Sequence, residues 1–215
     1  MYNVQGIGTE LAFNGIAAHA FAHILYKGLL FMCMGAVLFR TGTIKGSELG
    51  GLYKTMPLTT GFCIIGAASS AAFPLFSGFI SKSLIITATA HEGHWIVWAT
   101  LLFASAAVLY HSGIKIPYFA FFAQDSGKRP EEAPKNMLIA MGTAAFLCVA
   151  IGVFPGWLYE ILPYNVDYVP YTTTHVITQI QLLVFSALAF GWLTRIGLFP
   201  SHLKSTNLDF DWTYR

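Results

Sequence analysis

The chain has 215 residues, of which 55% are hydrophobic and 10% are charged, and its formal net charge at pH 7 is +2. A soluble globular domain carries about 25% charged residues, so this composition excludes an ordinary water-facing surface and indicates a protein of the lipid bilayer. The small net charge and the lack of a basic stripe with interleaved aromatic residues exclude nucleic acid as an expected partner.

Apolar stretches predict six helices, on the criterion that a membrane span needs about 20 apolar residues. In chain order they are 11–39, 57–72, 75–91, 94–123, 136–162 and 175–199. The predicted fold class is therefore all-α, a polytopic transmembrane helical bundle. It occupies residues 1–199 and is followed by a polar tail, 200–215.

The first predicted helix carries three protonatable side chains on one face. His19, His23 and Lys27 are spaced at i, i+4 and i+8, so helical geometry places them in a column. A lysine at the middle of a bilayer costs roughly 2.5–3.5 kcal/mol on insertion scales, which is tolerable where it faces a bundle interior or a hydrated cavity. Histidine changes its charge near neutral pH, and burial disfavours the charged form of lysine. The column is therefore suited to passing protons.

Other interpretations of this column are structural or metal-binding. The three groups could also be structural polar side chains whose hydrogen bonds neighbouring helices satisfy, although three on one face favour a proton relay. Two histidines four residues apart can ligate zinc, but the next residue on the face is Lys27, a poor ligand when charged. The cysteines Cys33, Cys63 and Cys148 lie singly in apolar runs, which predicts buried thiols. We therefore expect neither a metal nor a cofactor.

The second and third predicted helices are short and only two residues apart. This predicts either a hairpin or one helix interrupted at FPLFSGF, 73–79, with Pro74, Ser77 and Gly78 in the broken backbone. Irregular backbone at membrane depth is tolerated only where protein or a wet cavity covers it. Lys82 follows this stretch directly, which favours a proton relay beside hydrated backbone over a purely structural lysine.

The fourth predicted helix contains a second pair at i, i+4, His111 and Lys115. Lys115 lies closer to a helix end, from which a long side chain can reach the interface. A relay role and a structural role are both open for this pair.

Alternation of six spans places the N-terminus, the 123–136 loop and the tail on one side of the membrane. Basic residues outside the spans are more numerous on that side than in the 40–57 loop. Because positively charged loops stay in the cytoplasm, the sequence predicts a multi-pass protein of the cell (inner) membrane with these three segments cytoplasmic.

Two long stretches resemble the antiporter-type proton-translocating membrane subunits of Mrp-type Na+/H+ antiporters, respiratory complex I and membrane-bound hydrogenases. They are HAFAHILYKGLLFMCMGAVLFRTGT, 19–43, and LGGLYKTMPLTTGFCIIGAASSAAFPLFSGFISKSLI, 49–85. Two further stretches resemble the D-type branch of the Mrp antiporter subunits: GIKIPYFAFFA, 113–123, and STNLDFDWTYR, 205–215.

The resemblance implies a bundle with inverted repeats, each with a broken helix, around a hydrated polar axis. It implies proton-relay roles for His19, His23, Lys27, Lys82, His111 and Lys115. Lys27 matches the centre of the axis and Lys82 the end of the exit half-channel. The chain corresponds to the second repeat, so we expect a C-terminal portion, a split-gene product or a truncated gene that does not support antiport by itself.

The function implied is that of a proton-translocating segment of a Na+/H+ antiporter membrane protein, with protons and Na+ as transported ions and other membrane subunits as partners. A redox-driven component of a complex I or hydrogenase assembly is the second possibility, and a non-conducting structural fragment is the third. A soluble enzyme is not expected, because the sequence has no nucleophile–base pair, phosphate-binding loop or metal cluster.

Overall fold

The computed structural model describes residues 4–197, with side chains from residue 9 onward. These residues form seven α-helices: α1 Val4–Thr41, α2 Pro57–Ser70, α3 Ser77–His91, α4 Trp95–Val108, α5 Lys135–Val153, α6 Pro155–Tyr159 and α7 Thr173–Arg195. Two π-helical segments, Leu109–Lys115 and Tyr118–Phe122, continue α4. The predicted all-α fold is confirmed, and the predicted tail, 200–215, lies outside the described residues.

In the described part of the chain, four helices are long and apolar enough to cross a membrane. They are Thr9–Thr41, Trp95–Phe122, Lys135–Val153 and Thr173–Arg195. With 14 and 15 residues, α2 and α3 are each shorter than the roughly 20 residues that a span requires.

The two short helices follow one another along α1. Gly66 of α2 packs against Leu29 and Leu30 of α1, whereas Ile85 of α3 packs against Gly15 of α1. The point of contact moves toward the start of α1 as the chain proceeds from α2 to α3, so both run antiparallel to α1. Of the two alternatives predicted for this region, the interrupted helix is the correct one.

One end of the bundle, which we call the Arg40 end, is closed by the loops 42–56 and 123–134. Arg40 Nε, in the last turn of α1, donates to a main-chain carbonyl of the second loop at 2.9 Å. Lys54 of the first loop forms an ion pair of 2.9 Å with Asp125 of the second. The end of α1 and the loop before α5 therefore lie together.

The opposite end, which we call the Asn14 end, consists of the loops 92–94 and 154–172 with the first turns of α1. The buried Asn14 side chain donates to the carbonyl of Tyr164 and accepts from its N–H group, each at 3.0 Å. This pair of bonds fastens the 154–172 loop, which includes the short helix α6, to α1.

The start of α1 and the 123–136 loop consequently lie at opposite ends of the bundle. The prediction that both are cytoplasmic is wrong, because a membrane-spanning bundle cannot place its two ends on one side. The alternation of spans failed at a single point: α2 and α3 together make one crossing, whereas their sequences were counted as two.

The predicted helix 136–162 also differs from the structure, since α5 ends at Val153. Phe154 leaves the helical conformation with φ −119° and ψ 72°, and Pro155 has no N–H group with which to continue the α5 hydrogen bonds. Pro155 instead begins the short helix α6, at a position where proline is favoured.

The three cysteines are buried and free, as predicted. Cys33 of α1, Cys63 of α2 and Cys148 of α5 belong to one apolar cluster at the contact of these helices. Their small side chains allow the three helices to pack closely.

Candidate functional site

The centre of the candidate site is the break between Ser70, the last residue of α2, and Ser77, the first residue of α3. Within it, Ala72 and Leu75 adopt left-handed conformations, with φ of 58° and 75°. Such conformations cost of order 1–3 kcal/mol each for residues other than glycine, and they persist where the surroundings fix them. Pro74 lies between them, in the non-helical segment.

Hydroxyl groups join the two sides of the break. The Oγ atoms of Ser69 and Ser77 lie 2.9 Å apart, and the Gly78 N–H donates to Ser69 Oγ at 3.4 Å. A side chain at Gly78 would collide with the main-chain carbonyl of Ser69. Glycine is therefore required where the start of α3 passes the end of α2.

Two side chains from different helices bind the carbonyl oxygens that the break leaves free. Lys82 Nζ donates to Ser70 O at 2.8 Å, and Gln179 Nε2 of α7 donates to Ala71 O at 3.3 Å. The Ser70 hydroxyl is buried and has no hydrogen-bond partner among the described residues. Unpaired buried polar atoms are the groups to which internal water binds.

The column on α1 reaches the break through His19. Its Nδ1 lies 3.1 Å from Ser81 Oγ, and Ser81 directly precedes Lys82. The rings of His19 and His23 follow one another along α1 with centroids 5.9 Å apart, and the Tyr26 ring lies 5.2 Å from that of His23. The structure thus brings His19, His23 and Lys82 into one region.

Lys27 contacts a different element. Its Nζ donates to Ser112 Oγ at 2.8 Å, in the π-helical segment that continues α4. His111 and Lys115 lie in the same segment, and both are exposed on the surface of the described chain. π-Helical turns occur frequently at functional sites. The second histidine–lysine pair is therefore beside Lys27 in the fold, although it is not hydrogen-bonded to it.

A cavity of about 410 Å³ extends from Lys82 toward the Asn14 end, between α3, α4 and α7. Its lining is mostly apolar, with polar groups contributed by Thr87, His175 and Gln179 among others. The cavity connects the break with the end of the bundle that carries the 154–172 loop.

Sequence reasoning missed the neutral partners of the site, Ser81, Ser112 and Gln179. A serine in an apolar helix has no pattern that distinguishes it from a residue in helix packing. The one available signal was the spacing of His175 and Gln179 at i, i+4, which places both on one face of an apolar helix.

The model of the family described as NADH:quinone oxidoreductase/Mrp antiporter, transmembrane, matches residues 2–109. The chain belongs to this family. The match includes the column of α1, the break and Lys82, which are the residues that carried the resemblance. Membership confirms a multi-pass membrane protein of antiporter and complex I type.

Members of this family in animals and bacteria are similar over most of the chain. It is 31% identical over 204 residues to NADH-ubiquinone oxidoreductase chain 5 of Hippopotamus amphibius, which covers 94% of this chain and 32% of that protein. It is 32% identical over 175 residues to Na(+)/H(+) antiporter subunit A1 of Staphylococcus haemolyticus, which covers 74% and 22% respectively. These names are chain 5 and subunit A1, so the closer resemblance to the D-type branch stays a prediction.

A solved structure has the same fold over nearly the whole chain. It is that of the membrane-bound sulfane sulfur reductase, an archaeal respiratory membrane complex, with a TM-score of 0.68 and 25% identity. The superposition covers 94% of this chain and 36% of the other. The chain thus spans about a third or less of the length of these relatives, all of which contain further segments.

Proposed function

We propose that this chain is a proton-translocating segment of a cation/proton antiporter membrane protein. Protons move along His19, His23 and Lys27 of α1 and leave through Lys82 at the break. The observation that carries this proposal is the contact between His19 Nδ1 and Ser81 Oγ at 3.1 Å, because it joins the column to the helix that carries Lys82.

The partners of the two lysines support a relay. Lys27 donates to a hydroxyl, on Ser112, and Lys82 donates to a main-chain carbonyl, on Ser70. Among the described residues neither lysine forms an ion pair with a carboxylate, which would hold it in the charged form. Both lysines therefore contact neutral hydrogen-bonding groups, as positions along a proton path require.

Exposed ionisable groups support the proposal that other membrane subunits or repeats pack against this chain. His23, His111 and Lys115 are exposed on the described chain, and they lie in segments long and apolar enough to span a membrane. Ionisable residues at this depth face protein or a water-filled cavity, because lipid does not solvate them. Another membrane subunit or repeat, packed over this face, would complete the axis.

The distribution of basic residues supports an orientation. Among the described residues, the loops 92–94 and 154–172 of the Asn14 end contain no lysine or arginine. Within residues 4–197, the lysines and arginines outside the helix interiors lie at the Arg40 end: Arg40, Lys45, Lys54, Lys128, Arg129, Lys135 and Arg195. By the positive-inside rule, the Arg40 end faces the cytoplasm of the cell and the start of α1 faces outward.

We assign the chain to the D-type branch of the antiporter subunits on the stretches 113–123 and 205–215, with Na+ as the exchanged cation. The second candidate is an antiporter-like component of a redox-driven assembly, which the similarity to NADH-ubiquinone oxidoreductase chain 5 favours. The proteins that purify with the chain separate the two: other antiporter subunits support the first, and subunits with iron–sulfur or nickel sites support the second.

Substitution of the two lysines in the complete assembly tests the proposal. Lys27→Ala and Lys82→Ala should each lower proton-coupled cation transport in membrane vesicles by about 100-fold, the scale of a positioned proton-transfer group. The control is Lys45→Ala, which removes an exposed lysine at the Arg40 end. Transport at the parent rate in both variants, at equal assembly, would show that the chain is a structural segment that does not conduct protons.

A further inference from the structure

We infer that Thr87, Tyr168 and His175 form the last stage of the proton path, along the wall of the cavity that extends from Lys82 toward the Asn14 end. This inference rests on the proposed function, because it extends the path that begins in the α1 column. None of the three residues belongs to the column or to the break.

The three side chains form a continuous hydrogen-bonded chain. Thr87 Oγ1 lies 3.1 Å from the Tyr168 hydroxyl, and that hydroxyl lies 3.0 Å from Nδ1 of His175. The residues come from three elements: α3, the 154–172 loop and α7. Hydroxyl and imidazole groups both donate and accept hydrogen bonds, so every member of the chain can receive a proton on one side and release one on the other.

The cavity connects this chain to Lys82. Lys82, Thr87 and His175 all line it, with Ser83 and Gln179 as further polar groups. Its volume of about 410 Å³ is sufficient for several water molecules, each of which takes about 30 Å³ in the liquid. Water that is hydrogen-bonded to these polar groups bridges the space between the lysine and Thr87.

The proton balance is simple. A proton from cavity water binds to Thr87 Oγ1 as the Thr87 hydroxyl proton passes to the Tyr168 oxygen. The Tyr168 hydroxyl proton passes to His175 Nδ1, and the half-buried His175 releases its Nε2 proton to water toward the Asn14 end. One proton enters and one leaves, and only O–H and N–H bonds are exchanged. Rotation of the hydroxyls and exchange of the imidazole tautomer then restore the chain.

The attachment of the 154–172 loop agrees with a proton path through Thr87, Tyr168 and His175 rather than with a purely structural role for them. Asn14 already fastens the 154–172 loop to α1 through two hydrogen bonds to Tyr164. The loop therefore has an attachment to the bundle that does not depend on Thr87, Tyr168 and His175. In addition, it is half-buried beside a cavity, where protons from water have access.

The test uses the complete assembly in membrane vesicles. Tyr168→Phe keeps the ring and removes the hydroxyl, and we expect it to lower proton-coupled transport by at least about tenfold. The matched control is Tyr164→Phe, which should transport at the parent rate. It removes a hydroxyl from the same loop, but Tyr164 is not one of the three hydrogen-bonded side chains of the path. Thr87→Val should behave like Tyr168→Phe, whereas Thr87→Ser, which keeps a hydroxyl, should restore most of the rate.

Chemical rescue separates a proton path from a structural role. Imidazole added from the Asn14 side should restore transport to His175→Gly, because it can occupy the vacated space at the cavity and exchange protons. Imidazole should not restore transport to Tyr168→Phe, because the missing hydroxyl lies between Thr87 and His175 and His175 still fills its own position. A purely structural defect in His175→Gly would not respond to imidazole.

The outcomes distinguish this inference from the proposed function. Parent-rate transport in Tyr168→Phe and His175→Gly, together with loss of transport in Lys82→Ala, would contradict the path through Thr87, Tyr168 and His175. The proposed function would then still stand. Parent-rate transport in Lys82→Ala as well would overturn both. Should one variant fail to assemble, the pair Thr87→Val and Thr87→Ser decides the matter: equal rates in the two contradict the chain, and a higher rate in the serine variant supports it.

Discussion

The two ends of the bundle hold their loops by different chemistry. At the Arg40 end charged groups do so: Asp125 pairs with Lys54 and with Arg129, at 2.9 and 2.7 Å. At the Asn14 end neutral groups do so, through the Asn14 amide bound to the main chain of Tyr164. Ion pairs fix the protonation states of their members, whereas the Asn14 amide and the main-chain groups of Tyr164 carry no charge. Ion pairs therefore anchor the loops at the Arg40 end, and neutral groups fasten the 154–172 loop to α1, although this loop also carries Glu160 and Asp167.

This contrast predicts a separation of phenotypes. Substitutions at the Arg40 end should lower stability and assembly and leave the transport rate of each assembled complex unchanged. Substitutions along Thr87, Tyr168 and His175 should lower transport and leave assembly unchanged. Three changes at the Arg40 end test the first half of this statement, in order of decreasing effect.

The largest effect is expected for Gly50→Ala. Gly50 has φ of 119°, a region that side chains disfavour, and a Cβ there would collide with the Gln124 carbonyl of the facing loop. We expect the free energy of unfolding to fall by about 3 kcal/mol, the combined scale of backbone strain and overpacking. Thermal unfolding in detergent and the amount of assembled complex are the measurements.

The control for this glycine is Gly42→Ala at the same end. Gly42 also has a positive φ, of 73°, but a Cβ there would meet open space. Gly42→Ala should lower the free energy of unfolding only by the cost of the left-handed conformation, about 1–2 kcal/mol. Equal losses for the two variants would contradict a role of the loop contact at Gly50.

A smaller effect is expected for Glu132→Ala. The Glu132 carboxylate accepts from the N–H of Leu58 at 2.8 Å and from the hydroxyl of Thr59 at 2.6 Å, and thereby caps the start of α2. The N-cap residue itself provides no side-chain hydrogen bond. Loss of a helix cap costs about 0.5–2 kcal/mol, and we expect the unfolding free energy to fall by that amount.

The neighbouring acid is the matched control. Glu131 is largely exposed, and its ion pair with Arg40 measures 3.8 Å. Glu131→Ala should change the unfolding free energy by less than about 0.5 kcal/mol, as is usual for exposed ion pairs. A Glu132→Ala variant as stable as Glu131→Ala would show that the cap does not support α2.

The smallest effect is expected for Asp125→Asn, and it depends on pH. Hydrogen bonds from Arg129 and Lys54, and from the N–H of Gly127, hold the pKa of the Asp125 carboxyl well below its ordinary value. A pKa lowered in the folded state stabilises the fold above the unfolded-state pKa, which is about 3.9 for aspartate. That stabilisation is lost as the pH falls from there toward the lower folded-state pKa.

The measurement is the difference in midpoint of thermal unfolding between the parent and Asp125→Asn. It should be constant from pH 7 to about pH 5, shrink progressively below about pH 4, and shrink in 1 M salt, which screens exposed charges. A difference that does not change between pH 7 and pH 3 would show that the Asp125 ion pairs contribute nothing to stability.

The amino-acid pattern alone was sufficient to predict the fold class, the spacing of His19, His23 and Lys27 on one helix face, and a non-helical stretch at Pro74 before Lys82. These features are local: apolar length, helical spacing and a proline in a short apolar run are sufficient to indicate them. The buried state of the three cysteines followed in the same way from their apolar surroundings.

The direction in which α3 continues α2 depends on tertiary packing against α1. Either a hairpin or an interrupted helix satisfies the local sequence, and the choice depends on which residues of α1 are contacted. Gly66 against Leu29 and Ile85 against Gly15 make that choice. Because α2 and α3 together count as one crossing, the start of α1 and the 123–136 loop lie at opposite ends of the bundle, whereas the sequence predicted one side for both.

The neutral groups of the site likewise emerged only from the fold. Ser81, Ser112 and Gln179 contact residues 62, 85 and 108 positions away. The Thr87–Tyr168–His175 chain joins three elements in the same manner. A charged residue in an apolar helix is conspicuous because its burial is costly, whereas a serine or tyrosine there is inexpensive. Its importance depends on the partner that tertiary packing supplies.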